Sequence, residues 1–292
     1  MIFILVFKNV SKYYKKTPGI INLSFSIKEG ELLGVLGTNG SGKTTTFRLL
    51  MNLLDRNEGT ITFKGTAIKE LPFSQLGYLP EERSIYKDLS VYEQVHFFGK
   101  LKQRTNSQID EHLNYWLDFL KIKQYKYHKI RTLSKGNQQK IQLICSIVHD
   151  PLIIVLDEPF SGLDVLNVQL FIRVLEQLKK SGKYLLISSH NYDYLDDLCE
   201  SIILLDKGNV LLNDNLNKLK NNYQEYYLTI PNNNYDYSSI KGVKDVYYLG
   251  KKVRLIFKNK ELALIYLKNI EQTTSSFNLE QATINDLVRN NL

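Results

Sequence analysis

No stretch of the 292-residue sequence approaches the ~18 consecutive apolar residues that crossing a bilayer requires, so the chain is not expected to form a membrane pathway by itself. The apolar start, Met1 to Phe7, has neither a basic lead-in nor a small-residue cleavage site and reads as a strand, not a secretion signal. Cysteine is scarce. Cys145 and Cys199 show no metal or redox spacing, and each sits in a helix-like apolar pattern, so a cytosolic, reducing home is expected. Internal repeats and sustained heptads are absent. What remains is the composition of an ordinary soluble globular protein, 43% apolar and 23% charged, long enough for one large domain or two smaller ones.

Acidic residues are in the minority, and the net charge is +8. Lysine and arginine are dense between Lys100 and Arg131, interleaved with Tyr115, Trp116, Tyr125 and Tyr127. A nucleic-acid surface and an anionic membrane face would both suit such a stretch. A solvated helical face explains it at least as well, since charge runs are weak evidence.

The strongest signal is Gly37-Thr38-Asn39-Gly40-Ser41-Gly42-Lys43-Thr44, which fits the phosphate-cradling pattern G-x-x-x-x-G-K-[ST]. A chain of this length matches that pattern by chance on the order of 1% of the time. The context lowers the chance further. Leu32 to Leu36 reads as a buried parallel strand, and Thr44 to Leu54 carries Phe47, Leu50, Met51 and Leu54 at helical spacing. Glycines let successive N–H groups turn inward, and the new helix adds its positive end. Lys43 is expected on the β- and γ-phosphates and the Thr44 hydroxyl on Mg²⁺.

A second set of candidates follows. Leu152 to Leu156 is an apolar strand that delivers Asp157 and Glu158 at its end, where an α/β nucleotide site presents acids to Mg²⁺ and water. Tyr184 to Ser189 is a further buried strand ending at His190, in reach of a γ-phosphate. Ser134 reads as the N-cap of a helix through Ile141, Ile144, Cys145 and Val148, again a place for an anion. A strand from Leu76 ends at Pro80-Glu81, and one helical pattern spans Ser90 to about Leu120. Lys207-Gly208-Asn209 reads as a hairpin turn. Upstream of the phosphate loop, Tyr13 and Tyr14 are candidates to stack on a purine. Beyond Asn213 asparagine and tyrosine crowd the chain, and Pro231 to Asn234 reads as a turn or linker before a small α+β appendage.

From the first strand to about Leu219 these motifs, in this order, make the chain resemble the ATP-binding subunit of an ABC transporter. They are the phosphate loop, the acidic strand, the signature segment Leu133 to Gln138, the short loop Ser161 to Asp164 and His190. The segment Gly77 to Arg83, with Leu133 to Lys140, resembles the subfamily serving exporters, including sodium-extrusion systems. The implied fold is an α/β P-loop cassette, with a mixed sheet core and a helical subdomain at about 82–150, over residues 1–221. Residues 222–292 would be a small α+β accessory domain.

The resemblance also implies roles. Gly37 to Thr44 with Thr45 would bind ATP, with Tyr14 against adenine and Tyr13 as the fallback. Thr44 and Asp157 would hold Mg²⁺, with Glu81 a further candidate ligand. Glu158 would polarise the attacking water, and His190 would contact the γ-phosphate alongside Lys43. Ser134, Gly136 and Asp164 would face ATP held by a second ATP-binding subunit, a homodimer being expected. The membrane permease would be a separate chain, holding this one at the inner face of the cell membrane. Three positions depart from the common pattern: Lys135 where a second glycine is usual, Asn137 where glutamine is usual, and Glu81 where a glutamine commonly links the metal site to the membrane partner. The alternative is a soluble ABC ATPase acting on ribosomes or nucleic acid. With a single cassette and no heptads, no nucleic acid is expected. A module that holds ATP without turnover is disfavoured by Glu158 and His190.

Overall fold

The computed structural model describes residues 4–15, 17–82, 84–223, 225–233, 235–270 and 276–292. Ile2 and Phe3 of the expected opening strand, with Lys16, Arg83 and Asn234, lie outside the described residues. The chain divides into two units, residues 1–213 and 214–292.

In chain order the first unit begins with strands β1 (Ile4–Tyr14), β2 (Thr17–Lys28) and β3 (Leu32–Gly37), then helix α1 (Lys43–Leu50). Strands β4 (Glu58–Phe63), β5 (Thr66–Ala67) and β6 (Leu76–Leu79) follow, then helices α2 (Val91–Leu101), α3 (Asn106–Phe119) and α4 (Lys135–Ile147). Strand β7 (Ile153–Leu156), helix α5 (Val165–Lys180), and strands β8 (Tyr184–Ile187), β9 (Ser201–Asp206) and β10 (Asn209–Asn215) complete the order.

A six-stranded sheet runs β10-β9-β3-β8-β7-β6, and the pairs from β9 to β6 are all parallel. Every residue of β3, β7 and β8 is buried, which is why these segments read as unbroken apolar runs. On one face Leu33, Val35, Val155, Leu186 and Leu205 share a core with Phe47 and Leu50 of α1. Phe7, Phe25, Ile61 and Phe63, from an antiparallel sheet ordered β2-β1-β4-β5, close that core. Phe63 meets Tyr184 edge-on at 4.9 Å. Each such side chain contributes about 1.5–3 kcal/mol by leaving water. The parallel arrangement brings the C-terminal ends of β3, β8, β7 and β6 to one edge of the sheet, where ligands of open α/β sheets collect.

The helical pattern expected from Ser90 to about Leu120 is carried by two helices, α2 and α3. Gln103 takes a left-handed φ of 61°, and Thr105 starts α3 with a capping box. Thr105 accepts the Gln108 N–H at 3.3 Å while Gln108 Oε1 accepts the Thr105 N–H at 3.1 Å. The helix pattern survived the break because both helices bury residues at helical spacing: Val91 and Val95 in one, Ile109, Leu113 and Trp116 in the other. The basic stretch is tied into the fold only in part, and Lys100, Lys121, Lys123, Lys129 and Arg131 are exposed. Lys102 donates to the carbonyls of Phe73 and Leu76, Lys123 pairs with Asp118, Lys126 reaches Asn114, and Trp116 is buried.

The second unit holds α6 (Leu216–Asn222), β11 (Tyr226–Pro231), β12 (Val243–Leu249), β13 (Lys252–Phe257), α7 (Lys260–Ile270), β14 (Asn278–Gln281) and α8 (Ile284–Asn291). Its antiparallel sheet runs β12-β13-β11-β14. Leu228, Ile230, Val253, Leu255 and Phe257 form its core with Ala263 and Leu267 of α7. The tyrosine- and asparagine-rich stretch contains a central strand, β11, and of the expected turn from Pro231 to Asn234 the first residue ends that strand, where a missing N–H costs least.

Candidate functional site

Gly37 to Gly42 connects β3 to α1 at the gathering edge of the parallel sheet. Two of its glycines are required by space. At Gly37 (φ 142°) a Cβ would lie 2.2 Å from the Leu205 carbonyl oxygen, and at Gly42 (φ 114°) 2.5 Å from that of Gly19. Helix α1 opens on Gly42 with no side-chain cap and no acid in its first turn, so its N-terminal N–H groups carry an unopposed positive end. Lys43 Nζ donates to the carbonyls of Gly37 at 2.8 Å and Thr38 at 3.0 Å, using two of its three protons. Ser41 Oγ is buried and has no hydrogen-bond partner among the described residues.

Across from the loop, β7 ends in Asp157 and Glu158, both buried. Asp157 accepts from two hydroxyls, Thr44 Oγ1 to Oδ2 at 3.1 Å and Ser188 Oγ to Oδ1 at 2.6 Å. Glu158 takes a left-handed φ of 50°, an uncommon conformation for a side chain of this size and one that clusters at functional sites. Its N–H donates to Ser188 Oγ at 2.9 Å, and its Oε2 accepts the His190 N–H at 3.0 Å. His190 Nε2 lies 3.3 Å from Oε1, without the alignment of a hydrogen bond.

Burial pushes the Glu158 carboxyl above the usual carboxylate value, against the pull of His190 and Lys43. Burial likewise holds Lys43 below the ordinary lysine value, opposed by the charges of Glu158, Asp157 and Glu81. Behind them Tyr78 is pushed up to about 12, first by burial and then by Asp157.

Ser41 to Thr44, Asp157, Glu158 and His190 line one cavity of about 540 Å³ together with Tyr14, Asn39, Gly40, Thr45 and Glu81, whereas Gly37 and Thr38 of the loop do not line it. Tyr14 is 43% exposed at its rim, its hydroxyl 3.3 Å from Thr45 Oγ1. Tyr13 does not line it. Ser134, Gly136 and Asp164 do not line it either. They form their own group at the exposed starts of α4 and α5. Asn167 binds Asp164 at 2.8 and 2.9 Å and stands 3.0 Å from where a Gly136 Cβ would be. Ser134 caps α4 by accepting the Asn137 N–H.

Sequence reasoning missed Ser188 and the lining residues Thr17, Pro18 and Gly19. Ser188 left no signal of its own, since its link to the acids depends on β8 lying beside β7. The β2 residues had none, since their place depends on how β2 crosses the phosphate loop.

A family model described as "ABC transporter" matches residues 20–161. An uncharacterized ABC transporter ATP-binding protein of Methanocaldococcus jannaschii is 43% identical over 69% of this chain and 73% of its own length. Another, from Alkalihalophilus pseudofirmus, is 35% identical over 87% of this chain and 96% of its own. Among solved structures, an ATP-binding cassette described as a dimer in a post-hydrolysis state with ADP and phosphate is similar in fold. Its TM-score is 0.66 at 24% identity, over 73% of this chain and 98% of that one.

Proposed function

The chain belongs to the ABC transporter ATP-binding proteins, a family of ATPase cassettes, and we propose that its phosphate-loop cavity hydrolyses ATP to drive export through a permease on a separate chain. The observation that carries this reading is the meeting of Lys43, Thr44, Asp157, Glu158 and His190 in one cavity. Phosphate oxygens would satisfy the buried Ser41 hydroxyl, the third proton of Lys43 and the free N–H groups of α1. Tyr14 at the rim offers its face to adenine.

The donor set fits Mg²⁺: hard oxygen atoms only, the Thr44 hydroxyl, Asp157 and, as a further candidate, Glu81. Among the described residues no group of three or more His, Cys, Asp or Glu forms a metal cage. That accords with an ion held partly by phosphates. When bound, the ion neutralises charge on the phosphate oxygens. Glu158 orients the attacking water and takes its proton, and its raised pKa brings its basicity nearer to the working pH. His190 holds Glu158 through its N–H and reaches toward the γ-phosphate with its half-exposed ring.

Ser134 and Asp164 are exposed and Gly136 is half-buried, none of them lines this cavity, and the start of α4 is suited to an anion. In this reading they close over ATP held by a second copy of the chain, excluding water from the reaction. A mostly apolar cleft of about 630 Å³, lined by Ile85, Tyr86, Leu89 and Phe97 with the charged Lys87 and Asp88, supports a protein partner. Tyr86 and Phe97 meet edge-on at 5.7 Å. No helix among the described residues is long and apolar enough to cross a membrane, so the chain would sit on the inner face through its permease. Residues 1–221 would be the cassette, with a helical part at about 82–150, and residues 222–292 an accessory domain.

The test is copurification of the native complex. The reading expects a multi-span membrane protein in it and ATP hydrolysis that this partner stimulates. Stimulation by ribosomes or nucleic acid, with no membrane partner, would favour the alternative.

A further inference from the structure

Both acids at the end of β7 are tied to one residue on the neighbouring strand's exit. Ser188, the first residue after β8, is fully buried. A backbone N–H can only donate, so the Glu158 N–H occupies a lone pair of Ser188 Oγ at 2.9 Å. The Ser188 proton is then free for Asp157 Oδ1, and at 2.6 Å that contact lies in the short range of charge-assisted bonds.

The backbone ladder stops where this side chain takes over. The Asp157 N–H donates to the Leu79 carbonyl at 2.8 Å and the Ser188 N–H to that of Leu156 at 3.0 Å. The next N–H, that of Glu158, turns away with the left-handed kink, and the Ser188 hydroxyl receives it. Without that hydroxyl a buried N–H would lose its partner, and the kink that aims Glu158 at His190 would lose its tether. Asp157 is clamped at the same time, with Ser188 on one oxygen and Thr44 on the other.

We propose that Ser188 is a positioning residue for the reaction. It fixes the Asp157 carboxylate for the metal and the Glu158 backbone for the attacking water, without touching the nucleotide. The inference rests on the reading of the cavity as an ATP-hydrolysing site. Partners of this kind, one step removed from a metal, typically contribute about 10–100-fold in metal affinity or activity.

The experiment compares native protein, Ser188→Ala and Ser188→Thr in three measurements. These are Mg-ATP turnover, binding of a fluorescent ATP analogue in EDTA, and Mn²⁺ affinity of the nucleotide-bound protein by electron paramagnetic resonance. For Ser188→Ala, kcat and Mn²⁺ affinity should each fall about 10–100-fold, while binding in EDTA stays within about twofold because the phosphate loop is untouched. Ser188→Thr, which keeps the hydroxyl, should recover most of both losses.

If the alanine variant does not fold, Ser188→Cys, of similar shape and with a weak donor, should show the same split. Turnover and Mn²⁺ affinity within twofold of native overturn the proposal. So does a loss of EDTA binding as large as the loss of turnover, which marks a general structural role. Native protein that neither binds nor hydrolyses Mg-ATP contradicts the hydrolysis reading itself, and the inference with it. Native turnover matched by Ser188→Ala contradicts the positioning role alone.

Discussion

The Thr44 hydroxyl donates to Asp157 Oδ2 at 3.1 Å, joining the first turn of α1 to the end of β7 across 113 residues of sequence. The pair spans β8, which lies between β3 and β7 in the sheet. Loop and acid are thus set against each other by the parallel strand order, with their relative position fixed before a substrate arrives. Pre-organisation of this kind removes the reorganisation that a mobile acid would require during reaction.

Lys43→Ala should weaken ATP binding about 10–100-fold, the range expected for losing a charge-assisted contact of about 1.5–3 kcal/mol. The motivation is the buried ammonium, which has two carbonyl partners and a third proton to give. Equilibrium titration with a fluorescent nucleotide measures it. Native-like affinity in the folded variant would remove Lys43 from phosphate contact.

His149 should make the protein acid-sensitive. Its Nε2 proton is held by the Leu76 carbonyl at 3.0 Å, while Nδ1 is buried without a partner among the described residues. Burial lowers its pKa from 6.5 to about 4, and the nearby Lys102 and Arg104 charges add to the effect. The unfolded chain therefore binds a proton near pH 6.5 that the folded protein refuses until about pH 4, and stability falls as pH drops through that window. The loss is on the order of 3 kcal/mol. Denaturation midpoints for native protein and His149→Gln between pH 7 and pH 4 check it. The variant should show the shallower decline, and parallel curves would contradict the assignment.

The chemistry-bearing motifs were legible in the sequence where one contiguous segment carries strand, turn and functional residue together. Gly37 to Thr44 and Leu152 to Glu158 are of that kind, since the buried parallel strands leave apolar runs on either side of the chain's polar residues. Ser188 was not legible as a partner of Asp157, because that pairing depends on β8 lying beside β7 in register. The break between α2 and α3 was written in the Thr105–Gln108 capping box, but the apolar spacing on both sides obscured it. In the second unit Tyr227, Leu228 and Ile230 are buried, yet their tyrosine- and asparagine-rich surroundings concealed β11.

Ser134→Ala should damage ATP held by the opposite subunit. Ser134 stands exposed at the start of α4, outside the cavity of its own chain. Mg-ATP should drive the native protein from monomer to dimer in sedimentation. In mixed dimers that pair Ser134→Ala with Lys43→Ala, one of the two composite sites collects both defects and the other stays intact. Such dimers should keep up to about half the native rate, although each variant alone is impaired. A monomer with full activity at high dilution would contradict the composite site.

Glu81 lines the cavity from the end of β6, and its charge is one of those felt by Lys43. If its carboxylate ligates the ion, turnover against Mg²⁺ concentration should shift clearly upward for Glu81→Ala and less for Glu81→Gln. Coinciding curves, with only permease stimulation altered, would make Glu81 a coupling contact.

Hydrolysis in this cavity with Glu158 as its base is tested most directly by single-site turnover of Glu158→Gln. The amide keeps the shape of the side chain but cannot take a proton. The variant should show native-like ATP binding, accumulation of an ATP-bound dimer, and turnover reduced on the order of 10²-fold or more. A Glu158→Gln protein that turns over Mg-ATP at near the native rate contradicts that role for Glu158.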